Sequence, residues 1–137
     1  MPKGKLMRQL LMTFCALLAT VMAVTAQQQA DGQNIGYLTV AAALDGMRTK
    51  SGVNVSIQGS WTVIEDGATS SIWSFTPAGH PAHPAVVRRT IVQQGNDIFV
   101  NMGVLCEAAK PSCDKLVAEF QELNNKMRES LSRRRGP

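Results

Sequence analysis

"VNVSIQGSWTV", Val53 to Val63, is the stretch on which the reading of this chain turns. Val53, Val55, Ile57, Trp61 and Val63 alternate there with Asn54, Ser56, Gln58, Ser60 and Thr62. A period of two lays one side of an extended chain on a core and leaves the other in water. The alternation predicts a single long strand, with Gly59 interrupting its apolar face as a bulge or a close backbone approach.

Strand signals continue downstream. "EDGATS", from Glu65, reads as a hairpin loop, and Ser71 to Thr76 as a second strand carrying Ile72, Trp73 and Phe75. A third strand is expected over Ala85–Gln93, then a turn at "QGND". In the fourth strand Ile98, Val100, Met102 and Val104 share a face that leads to Cys106. Upstream, Val40, Ala43, Leu44 and Met47 recur at helical spacing and predict a short helix over 40–50. Thr39 can cap its start, and Gly52 can close its end in a left-handed conformation. Gly46 inside it costs up to about 1 kcal/mol, so this helix needs packing. At the other end Leu116, Phe120, Leu123, Met127 and Leu131 form one stripe of a helix over 113–132. Ser112 is its expected cap, with Pro111 just outside, and Glu122 with Lys126 forms an i,i+4 pair on the wet side. Alternating strands need cover on one side, and two amphipathic helices can supply it. The expected fold is α+β: a four-stranded antiparallel meander flanked by a short N-terminal helix and a longer C-terminal amphipathic helix.

The opening residues read as a targeting segment. Lys3, Lys5 and Arg8 precede an apolar run of 15 residues, Leu10 to Val24, and Val24-Thr25-Ala26 supplies small residues for cleavage. As a helix that run spans about 22 Å, short of a hydrocarbon core of about 30 Å. The expected organisation is a signal peptide over 1–26, a flexible leader over 27–36, one α+β domain over 37–132 and a basic tail over 133–137. After cleavage no transmembrane segment is expected. Removing three of the 14 basic residues leaves 11 against 10 acidic ones. Three of those 11, Arg133 to Arg135, sit in the tail. A body so balanced lacks the basic face of a nucleic-acid binder. Cys106 and Cys113 then remain as an even pair, which in an exported chain reads as a disulfide from strand end to helix start.

"SIWSFTPAGHPAHPAVVRR", Ser71 to Arg89, concentrates three of the six prolines and both histidines. His80 and His83 suggest a metal, but a polyproline II path would hold their backbones about 9 Å apart. Each ligand nitrogen must lie within about 2.1 Å of one ion. No metal ligand is therefore assigned, and no cofactor. A recognition surface suits the passage better, because proline stiffening lowers the entropy cost of holding a loop ready. Its candidate residues are His80, His83, Arg88, Arg89 and Trp73, arginine and tryptophan being enriched at interface hot spots. The structural alternative is a plain crossover, with Trp73 in the core. No nucleophile elbow, HExxH or phosphate loop is present, so no catalytic residue is assigned. The expected function is that of a small exported domain, periplasmic or secreted, with a non-catalytic binding or accessory role. Its partner would be a protein or another envelope component. A histidine-dependent metal binder is the alternative, and an enzyme with a site assembled from distant residues comes third.

Overall fold

Gly59 and Ser60 both adopt positive φ, 52° and 75°, in a computed structural model that describes residues 35–134 and 136. Gln58 pairs with Trp61 across them. Two central residues of positive φ make the tight turn that two-residue hairpins favour. The single strand expected over Val53–Val63 is therefore two, β1 (Val53–Gln58) and β2 (Trp61–Asp66). The sheet has five strands where four were expected. β3 (Ser71–Phe75), β4 (Ala85–Gln94) and β5 (Asp97–Cys106) complete an antiparallel meander in the order β1-β2-β3-β4-β5.

The turn also redistributes side chains. With Val55 opposite Ile64, the odd residues of β1 share a face with the even residues of β2. Val53, Val55 and Ile57 thus lie on one face with Ile64, while Trp61 and Val63 turn to the other. On the outermost strand, Val55 and Ile57 remain 44% and 67% exposed.

Each face has its own helix. α1 (Val40–Thr49) packs Val40, Ala43 and Met47 on Ile64, Trp73, Phe75 and Val86. Thr39 caps it as expected, accepting from the Ala42 amide at 3.1 Å, and Glu107 Oε1 accepts from the Val40 amide at 2.8 Å. Its last turn closes at Lys50, whose amide donates to the Met47 carbonyl, and Gly52 serves the following turn with φ 79°. Ile35, expected in a flexible leader, is only 3% exposed and belongs to this core.

α2 (Lys110–Arg134) covers part of the opposite face, where Leu116 and Phe120 meet Ala85, Val87 and Ala82. It begins three residues before the expected start, and the Ser112 and Cys113 amides both donate to the Ala109 carbonyl. Ser112 is thus not the cap. Pro111 fits the first turn because that turn's N–H groups have no helical partner anyway. The buried stripe is Leu116, Phe120 and Asn124; Leu123, expected on it, is 44% exposed. Asn124 donates to Met102 Sδ at 3.5 Å. Cys106 and Cys113 are bonded, tying the end of β5 to the first turn of α2. Among the described residues no helix is long and apolar enough to cross a membrane. The expected signal peptide, 1–26, lies outside them, as do residues 27–34 of the leader and Arg135 and Pro137 of the tail.

Candidate functional site

Adjacent residues of a strand point to opposite faces, and this rule separates the two arginines. Arg88 pairs with Trp73 on the α1 side, its guanidinium carbon 5.6 Å from the indole centroid. Trp73 itself is 5% exposed, donates from Nε1 to Ser71 Oγ at 3.2 Å, and meets Tyr37 edge-on. Trp73 is therefore a wall of the α1 core. Arg89 faces the α2 side, its guanidinium carbon 5.4 Å from the Phe120 centroid.

The proline passage does not follow a polyproline path. The His80 amide donates to the Pro77 carbonyl and the His83 amide to the His80 carbonyl, forming two successive turns. Pro81 sits at the second position of the latter turn, where its fixed φ is already suitable. Ala82 from this turn is buried in the α2 core. His80 Nδ1 accepts from the Ala82 amide at 3.1 Å, and its ring packs edge-on against Trp61 at 5.1 Å. His83 is exposed, with Nδ1 3.0 Å from the Thr76 carbonyl and 3.2 Å from its hydroxyl. Each histidine thus has its own local partner. Among the described residues no three His, Cys, Asp or Glu side chains gather where they could hold a metal.

Arg89 nevertheless lines a feature that His80 approaches through Trp61. α2 lies chiefly along β5, and a small gap remains beside it toward β2 and β3. The gap is a groove of about 210 Å³, with Val63, Ile72 and Ser74 on the sheet side and Phe120 and Leu123 on the helix side. Trp61 lines it too, with centroids 5.8 Å from Phe120, so His80, Trp61, Phe120 and Arg89 form a continuous row.

Arg89 is the chemically unusual member. It is 8% exposed, and its Nε has no hydrogen-bond partner among the described residues. Burial pushes its guanidinium below the ordinary value, yet arginine stays protonated at any physiological pH. The ion pairs among the described residues lie elsewhere, at Lys50–Asp66 and along α2. Glu65 lines the same groove, but Ile72 stands between it and Arg89 in the sheet register. Two strand spacings separate their backbones by about 10 Å. The groove therefore holds a desolvated cation beside aromatic and aliphatic surface.

Trp61 and Phe120 belong to this site although their sequence positions marked them as core residues. Trp61 takes its place through the turn at Gly59-Ser60, and Phe120 through the path of α2. A larger hollow of about 550 Å³ lies between the β4–β5 turn and the last turns of α2. Its charged residues Asp97, Arg128, Glu129 and Arg133 are all exposed to solvent, so nothing there resembles the buried charge of Arg89. The chain matches no family model, no curated protein and no solved structure.

Proposed function

We propose that this chain is a small exported, non-catalytic binding domain that takes a partner in the gap beside α2. Arg89 carries the reading. A buried N–H of a charged group without a partner costs about 1–3 kcal/mol or more, and this guanidinium lines a groove of mixed apolar and polar surface that a partner can fill. Tryptophan, arginine and other aromatics in a desolvated pocket are the residue types that dominate binding energy at interfaces. His80 extends the surface, holding Trp61 at the end of the row. His83, Arg88 and Trp73 have local structural partners and are not needed for this contact. Export is supported by the charged-then-apolar opening of the sequence, and the Cys106–Cys113 bond suits an oxidising compartment.

The test is site-specific photo-crosslinking in the native host. A benzophenone amino acid replaces Leu123 at the groove, or Ile57 or Phe99 as exposed apolar positions elsewhere. A discrete adduct from Leu123, absent from the other two, is expected. Adducts from Ile57 or Phe99 alone, or from no position, would end this reading.

A further inference from the structure

We infer that the groove receives a glutamate side chain, flanked by apolar residues in an extended segment of a partner protein, with its carboxylate on Arg89. The inference rests on the binding reading above and adds the chemistry of the ligand. Four observations lead to it.

The first is charge. Arg89 Nε is buried without a partner among the described residues, and the guanidinium carbon lies 5.4 Å from the Phe120 centroid. The two terminal nitrogens are not buried, and together they present an edge that a carboxylate can meet with two hydrogen bonds. A phosphate carries up to two charges and three acceptor oxygens, whereas among the described residues Arg89 is the one cation lining this groove.

The second is size. At about 210 Å³ the groove is smaller than the roughly 300–1,000 Å³ of sites that enclose a whole small molecule. It suits one or two side chains of something larger.

The third is the lining. Val63, Ile72, Phe120 and Leu123 offer apolar contact on both sides of the charge. Neighbours of the acid should therefore be aliphatic, and Glu65 on the groove disfavours a second acid.

The fourth is reach. β2, β3 and β4 are interior strands whose backbone groups are committed to neighbours on both sides. A chain terminus descending to Arg89 would bring its own amide to a floor without backbone acceptors. A long glutamate side chain reaches the recessed guanidinium while its main chain stays at the rim.

Fluorescence anisotropy with labelled peptides tests the assignment on the purified, disulfide-intact protein. The probes are blocked heptapeptides centred on Leu-Glu-Leu or Leu-Gln-Leu, and a Leu-Gln-Leu peptide ending in a free carboxylate. The glutamate peptide should bind at least about tenfold more tightly than its glutamine counterpart, as expected for a charge-assisted bidentate contact. That preference should vanish in Arg89→Met and shrink in Arg89→Lys, which keeps the charge but loses the fork. Because the peptide comparison is made on the unaltered protein, it holds even if a variant folds poorly. Equal binding of the two blocked peptides, preference for the free terminus, or no binding at millimolar concentration would overturn the inference. So would a glutamate preference that survives in folded Arg89→Met. If crosslinks from Leu123 persist in those cases, only the glutamate assignment falls; if they are absent too, the binding reading falls with it.

Discussion

Gly46 lies inside α1 because Tyr37 occupies the space a side chain there would need. A Cβ at this position would stand 2.6 Å from the Tyr37 hydroxyl and 2.7 Å from its ring. Alanine would gain up to about 1 kcal/mol in helix propensity. It would also drive Tyr37 from its edge-on contact with Trp73, 5.9 Å between centroids, and overpacking of this kind costs about 1–3 kcal/mol. Gly46→Ala should therefore lower stability by about 1 kcal/mol net, read from the urea midpoint. In a Tyr37→Ala background the same change should be neutral or stabilising. An equal loss in both backgrounds would contradict the steric account. Residue identity alone marks Gly46 as a weakness of its helix, and only the position of Tyr37 makes it a requirement.

At the scale of elements, Lys50 at the end of α1 bonds Asp66 at the end of β2. Asp66 also accepts from Thr69 Oγ1 at 2.8 Å and the Ala68 amide at 3.2 Å. The Lys50 and Thr69 hydrogen bonds hold its carboxyl below the ordinary value near 3.8. A folded-state value below the unfolded one contributes stability that is full above the unfolded value and lost as pH falls through the folded one. Thermal melts of the wild type should therefore weaken as pH falls below about 4 more steeply than those of Asp66→Asn. Parallel curves would remove Asp66 from the acid response.

Most elements were legible because their periodicities are strong: α1, β3, β4, β5 and α2 lie close to where apolar spacing places them. The turn at Gly59-Ser60 was not, because after the interruption at Gly59 the apolar alternation resumes in the same phase across a two-residue hairpin that flips the faces. Glycine there is compatible with either a bulge or a turn, and the pairing of Gln58 with Trp61 decides between them. The stripe of α2 shifted from Leu123 to Asn124 for a related reason. Hydropathy prefers the leucine, whereas Met102 gives the asparagine amide a partner on the sheet. His80 and Arg89 stood out in the sequence by composition. The separation of Arg89 from Arg88 and Trp73 depends on strand parity, and its meeting with Phe120 on where α2 crosses the sheet, while His80 joins the row only through Trp61.

Across the whole molecule, α1, sheet and α2 form three layers that are covered unequally. The α1 core closes over the middle of its face. α2 follows β5 and leaves the groove along β2 and β3, with Arg89 beneath its edge. Folding alone gives little reason for this arrangement. The cation–π contact with Phe120 returns about 0.5–2 kcal/mol, while a buried N–H left without a partner costs about 1–3 kcal/mol, and more on a charged group. On the proposed reading, Arg89 is held for a ligand and at the expense of the fold. Chemical denaturation of Arg89→Met against the wild type, without ligand, tests it most directly. The variant should be more stable by about 1 kcal/mol or more, since methionine fills similar space without a charge to desolvate. A loss of 1 kcal/mol or more would show that the fold itself depends on the guanidinium, and would contradict the account.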